Sequence, residues 1–376
     1  MAEFEVEKLI SRGTYSLVYK ARCKDPEKNE QSYAYKRTFF FNSDAVRCAI
    51  RESHILKSLA IERVNIPVLP KILRIYQLDQ SMVYITDGAY ETNLKDLMLE
   101  YPVHMYDAGV FIAQLILALE VLHRLRIIYL NIRPENILVD KVGHIMLTDF
   151  SQSYCPCYAN KWPHLKRLGG DLYYMAPEIA NEIAITPKAD IWQLGMLAAT
   201  LVAGNIRPAG DKSKLLEMAK RGIVQIRDFA FLPKYFRSFV DACLTKNHET
   251  RPNVDELKYF QFVVKSNIAV LTKKNVLDVE PITLNCFDPS ARNVLNAAVD
   301  EGFPNVTYTL ETQNGVRKER LLPYTRPNLV DLKKSRFTME NFRNILEFRE
   351  FPEPSRESDC GNEGSVSRDS KKPRIS

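Results

Sequence analysis

Apolar and polar residues alternate through residues 4–21, around a turn at Arg12-Gly13, and residues 32–41 form a second short, aromatic run. Alternation with a period of two predicts strands in both places. The charged stretch Lys24-Asp25-Pro26-Glu27-Lys28-Asn29-Glu30 between them is a turn. Over residues 45–60 the period changes. Val46, Ala49, Ile50, Leu56 and Leu59 fall at helical spacing. Strands are predicted again at 72–78 and 82–86. After residue 90 the pattern turns helical, with a long apolar helix over 108–125, two short strands around Asp140-Lys141-Val142-Gly143, an irregular segment at 151–172, and helices onward to about 265. This is an α+β architecture in which a small β-rich lobe (4–86) precedes a larger helical lobe (90–265).

Beyond 265 the pattern weakens. Residues 281–322 read as short strands and turns, and 338–348 as one amphipathic helix. From 351 to 376 Ser, Glu, Arg, Pro and Gly prevail, the composition of a disordered tail. We therefore expect a folded domain over 4–265, an extension over 266–350 and a tail over 351–376.

Composition adds bounds. The 45% hydrophobic and 26% charged content over 376 residues fits a globular chain. No run of about 18 apolar residues stands out, so a membrane span is not expected, and the first residues lack the features of a signal peptide. Seven cysteines without framework spacing predict reduced thiols in an intracellular, cytoplasmic setting. The net charge of +6 is too small and too spread to point to nucleic acid. Lys371-Lys372-Pro373-Arg374 would serve as a nuclear-import patch.

Candidate chemistry lies in ordered short motifs. Ser11-Arg12-Gly13-Thr14-Tyr15-Ser16-Leu17-Val18 is either a phosphate cradle or an ordinary strand-turn-strand. Lys36, on the next strand, and Glu52, on the helix after it, are placed to pair, or are unrelated surface charges. Tyr129-Leu130-Asn131-Ile132-Arg133-Pro134-Glu135-Asn136-Ile137-Leu138 is followed, thirteen residues after Asn136, by Asp149-Phe150-Ser151. Then come Ala176-Pro177-Glu178, Asp190-Ile191-Trp192-Gln193-Leu194-Gly195 and His248-Glu249-Thr250-Arg251-Pro252. In this order and spacing the chain resembles the eukaryotic protein kinase family, with Tyr129 in place of histidine looking like the AGC-type branch of serine/threonine kinases. The resemblance covers residues 4–265 and implies a bilobal kinase fold.

It also implies a set of roles. Asp149 and Asn136 would hold Mg²⁺, to which oxygen ligands are suited. Lys36, paired with Glu52, would reach the ATP phosphates under the loop of Ser11, Gly13 and Ser16. Thr86 would be the gatekeeper, and Asp87, Gly88 and Ala89 the hinge that receives adenine on its backbone. Val18, Ala34 and Leu138 would enclose the ring, or simply pack the core.

The departures from the family are as informative. Only Gly13 remains of three loop glycines, and the serines limit close approach to a phosphate. Asn131 stands at the position of the catalytic aspartate, and an amide has no useful basicity. Losing a general base costs roughly 10²–10⁴-fold in rate. Leu130 replaces the arginine that receives the activation phosphate, Arg167 the phosphosite and Asp171 the docking threonine. Ser151 replaces a glycine, and Arg133 a lysine, a swap that is not neutral. Cys155, Cys157 and His164 lack an evident fourth partner for zinc. The resemblance thus implies ATP and a protein partner or substrate, with three readings. These are a pseudokinase that holds Mg-ATP, a weakly active serine/threonine kinase, and a binding module that uses no nucleotide.

Overall fold

The computed structural model describes residues 4–24, 31–78, 81–90, 92–100, 102–140, 143–155, 170–204, 206, 210–265, 308–313 and 316–321. Arg167, Cys157, His164, the helix expected at 338–348, the tail and its basic patch lie outside the described residues.

Five antiparallel strands form the first lobe: β1 (Phe4–Arg12), β2 (Ser16–Cys23), β3 (Ser32–Phe39), β4 (Ile72–Leu78) and β5 (Ser81–Asp87), in the order β1-β2-β3-β5-β4. Alternation sorts their side chains between two faces. Leu17, Tyr19, Ala21, Tyr33, Tyr35, Val83 and Ile85 form the core of one face. Val18, Ala34, Lys36, Tyr84 and Thr86 line the other. The register pairs Val18 with Lys36, Lys36 with Tyr84, and Ala34 with Thr86. Helix α1 (Ser43–Ile61) begins where the Asn42 side chain accepts from the Ala45 amide, the standard satisfaction of an orphan helix donor. Its expected face, Val46, Ala49, Ile50, Leu56 and Leu59, is buried.

The second lobe is helical: α2 (Leu94–Glu100), α3 (Met105–Arg124), α4 (Pro177–Ala180), α5 (Lys188–Ala203), α6 (Lys212–Arg221), α7 (Lys234–Cys243), α8 (Val254–Leu257) and α9 (Gln261–Val264). Helix α3, the long apolar helix expected over 108–125, is long and apolar enough to cross a membrane by length and composition, although Asp107, Gln114 and Glu120 interrupt its apolar run. Its Phe111, Ile112, Leu115, Ile116 and Leu119 have no solvent exposure, so this is the lobe's core helix. Helices α5 and α7 meet at Gly195, where an added Cβ would stand 2.5 Å from the Cβ of Cys243. A three-stranded sheet, β6 (Thr92–Asn93), β7 (Ile137–Val139) and β8 (Ile145–Leu147), faces the cleft between the lobes. The sequence reading found β7 and β8. Strand β6, two residues long, has no period to detect.

In the extension, β9 (Tyr308–Gln313) and β10 (Val316–Leu321) pair antiparallel. The Asn314-Gly315 pair between them is a strong hairpin signal.

Candidate active site

The site is built on backbone held by buried polar side chains. Asp190, fully buried at the start of α5, accepts from the amides of Tyr129 (2.9 Å) and Leu130 (2.7 Å) and bonds His123 Nε2 (2.8 Å). Gln193, one turn on, accepts from the Ile132 amide (2.9 Å) and donates to the Leu130 carbonyl (3.1 Å). Leu130 has φ 60°, a left-handed conformation unfavourable for leucine. These bonds hold it there, and its side chain is buried. The Tyr129 hydroxyl donates to the Thr148 carbonyl, and its ring meets Phe150 edge to face at 5.3 Å. The segment carrying Asn131 is thereby tied to the segment carrying Asp149.

Lys36 joins the lobes. Its Nζ lies 2.7 Å from Glu52 Oε1 and 3.0 Å from Asp149 Oδ1. Burial works to lower its pKa, but the Asp149 and Glu52 carboxylates outweigh burial and hold the ammonium above its ordinary value. Burial pushes the Glu52 carboxyl up against the pull of Lys36. At Asp149 burial also works upward. The Lys36 charge, with hydrogen bonds from Lys36, Ser151 and Asn131, prevails and holds that carboxyl below the usual range. Arg51 Nη1 donates to the Ser151 carbonyl (2.8 Å), fastening α1 to the 3-10 turn Phe150–Gln152. Ser151 is not among the positive-φ residues, so this conformation does not require the family's glycine.

Asn131 is buried and its Nδ2 donates to Asp149 Oδ2 (3.0 Å) and to the Asp149 carbonyl (3.2 Å). Asn136 Nδ2 donates to the Asn131 carbonyl (3.0 Å), which leaves its Oδ1 directed away from that carbonyl. A carboxylate at Asp149 and an amide oxygen at Asn136 are the hard donors Mg²⁺ takes, so the residues fit such an ion. Arg133 donates from Nε to Glu135 Oε2 (2.9 Å) and lies 3.1 Å by Nη1 from Asp171 Oδ2. Glu135 also meets Lys95 (2.9 Å). Burial would raise the Glu135 carboxyl, but hydrogen bonds from Arg133 and Lys95 bring it down to about 2.

These residues surround a cleft of about 380 Å³, within the usual size of a small-molecule site. Ser11, Gly13, Ser16, Val18, Ala34, Lys36, Glu52, Thr86, Asn131, Arg133, Asn136, Leu138 and Asp149 all line it. At Gly13 an added Cβ would meet Ser16 Oγ at 2.8 Å, in a turn closed by Gly13 N donating to Ser16 O (2.8 Å). Gly88 and Tyr90 line the cleft, whereas the Asp87 carboxylate accepts from the Lys71 amide (3.0 Å) and Ala89 is not part of the lining. Glu135, Tyr90, Asn93 and Met146 were not foreseen from the sequence. Met146 had a signal, since it faces Leu138 across two adjacent short strands. Among the described residues no cluster of His, Cys, Asp or Glu is arranged to hold a metal, and Cys155 is buried.

Residues 4–263 match the protein kinase domain model. The chain belongs to the protein kinase family. Mouse ribosomal protein S6 kinase alpha-6 is 30% identical over 305 residues, covering 77% of this chain and 38% of the relative. Human ribosomal protein S6 kinase alpha-2 is 30% identical over 292 residues, 73% of this chain and 38% of the relative. The zebrafish (Danio rerio) alpha-6 protein is 32% identical over 233 residues, 60% of this chain and 30% of the relative. The kinase chain thus spans less than two fifths of the length of these relatives. Their similarity agrees with the serine/threonine, AGC-like character read from Tyr129.

Proposed function

We propose that the cleft binds ATP, with Mg²⁺ at Asp149 and Asn136, and that phosphoryl transfer through it is impaired, so that the protein acts as a pseudokinase in signalling or scaffolding. One observation carries this reading: the side chain at the base position is an amide committed as a donor to Asp149. An aspartate there would accept the hydrogen bond of a substrate hydroxyl and take its proton. Asn131 can orient a hydroxyl through its oxygen but cannot accept the proton. Lys36, held by Glu52 and Asp149, is positioned as a cation for phosphate. The cation at Asp149 and Asn136 would neutralise charge on the transferred group.

Two further features support the reading. Arg133, which replaces the catalytic-loop lysine, is engaged by Glu135 and Asp171. That Arg133–Asp171 contact joins the catalytic loop to the activation segment without any phosphate. A kinase with an intact base turns over at roughly 1–100 s⁻¹, and removing the base lowers that by about 10²–10⁴-fold. The test is phosphotransfer from Mg-ATP by purified protein, measured beside ATP binding. Binding without turnover in the ordinary range is expected, and ordinary turnover would refute the reading.

A weakly active serine/threonine kinase is the second reading. Its support is the rigidity of the Asn131 segment, whose neighbours' amides are fixed by Asp190 and Gln193. Positioning alone contributes substantially to phosphoryl transfer. Protein partners or substrates in a cytoplasmic setting go with both readings.

A further inference from the structure

We propose that Asn131 makes the cleft a nucleoside-triphosphate site with a weakened requirement for a divalent cation, by supplying at Asp149 a donor where an aspartate would set a second carboxylate against it. This deepens the ATP-binding reading above and rests on it.

The geometry is specific. Both oxygens of Asp149 already carry a protein donor: Lys36 Nζ on Oδ1 at 3.0 Å and Asn131 Nδ2 on Oδ2 at 3.0 Å. The amide is held in place by more than this contact. Its own backbone carbonyl accepts from Asn136, and the flanking Leu130 and Ile132 amides are anchored in α5. The orientation of the amide follows from its surroundings, because the carboxylate and carbonyl of Asp149 both accept, so the nitrogen must face them.

Charge points the same way. The ionisable residues of opposite sign lining the cleft are Arg12, Lys36 and Arg133 against Glu52, Glu135 and Asp149. Three cations and three carboxylates balance. An aspartate at position 131 would tip the lining to one net negative charge and set two carboxylates in hydrogen-bond range of each other, where like charges repel strongly. A triphosphate entering that site would need a cation. With Asn131 it meets a neutral lining in which the Asp149 charge is already bonded from both sides.

The test is ATP binding by calorimetry on the full chain, in Mg²⁺ and in EDTA, for wild type, Asn131→Asp and Asn131→Ala. The wild-type dissociation constant is expected to change less than about threefold between the two conditions, and that of Asn131→Asp by more than about tenfold. Asn131→Ala, which removes the donor without adding charge, is expected to fall between them and keeps the test decisive if the aspartate variant does not fold. A wild-type protein that loses tenfold or more in EDTA overturns the proposal while leaving ATP binding intact. So does an alanine variant indistinguishable from wild type. No ATP binding in either condition overturns the nucleotide reading itself, and this inference with it.

Discussion

Two of the buried charge clusters among the described residues of the kinase domain differ in one respect. In the helical lobe Arg251 meets Glu178 through both terminal nitrogens (2.6 and 3.0 Å), donates to the carbonyls of Lys188 (2.6 Å) and Thr245 (3.0 Å), and lies 5.1 Å over Trp192. Its side chain has 0% exposure and that of Glu178 1%. In the cleft, Lys36 retains 17% and Asp149 34%. The first cluster is closed, with its donors spent on protein acceptors. The second is bonded but reaches solvent on the side where a ligand would enter. A saturated buried pair holds segments together. An equally ordered pair with an open side can also exchange partners.

The largest effect separating the two should come from Arg251→Met. It leaves the Glu178 carboxylate buried without its partner, a change costing about 3–5 kcal/mol. Urea unfolding should show a lower midpoint at an unchanged slope, with ATP affinity of the folded fraction as in wild type. A cost below about 1 kcal/mol would erase the contrast.

Next, Asn131→Asp restores the missing base. Single-turnover phosphotransfer should rise at least about 100-fold, equivalent to about 2.7 kcal/mol of barrier. An unchanged rate would mean that position 131 does not limit the reaction.

A smaller effect on folding is expected for Lys36→Met, about 1–2 kcal/mol at neutral pH, alongside loss of the ATP-induced rise in melting temperature. Burial raises the Glu52 carboxyl even beside Lys36. Without Lys36 that carboxyl has a folded pKa above its unfolded one, so the folded state binds the proton more readily and the penalty shrinks as pH falls. A penalty that grows with acid would contradict this picture.

Smallest is the acid response of Glu135. Its folded pKa of about 2 lies below its ordinary 4.5, so its contribution is complete above pH 4.5 and is lost as pH falls toward 2. After allowance for its partial exposure this amounts to about 1 kcal/mol. Glu135→Gln should remove that portion of the stability-versus-pH slope, read by denaturation at pH 6 and pH 3.

Much of this was legible in the chain itself. Alternation predicted the strands that carry Val18, Ala34 and Lys36, and helical spacing identified the buried side of α1. Resemblance of the ordered motifs to the kinase family implied the pairing of Lys36 with Glu52. The first two are consequences of backbone period, and the pairing is what the resemblance implies. Other features came only from the folded chain. The Lys36–Asp149 contact joins residues 113 apart in sequence. Asp171 reads along the chain as a lost docking threonine, yet in three dimensions it is a partner of Arg133. Asn131 reads as a missing base, yet its amide bonds the Asp149 carboxylate. Tyr90 joins the cleft beside Gly88, and the Asp87 side chain accepts from the Lys71 amide. A residue's type and its near neighbours settle what it can donate or accept. Which group receives that bond depends on loop closure and lobe packing, and these bring together side chains with no local relation in the sequence.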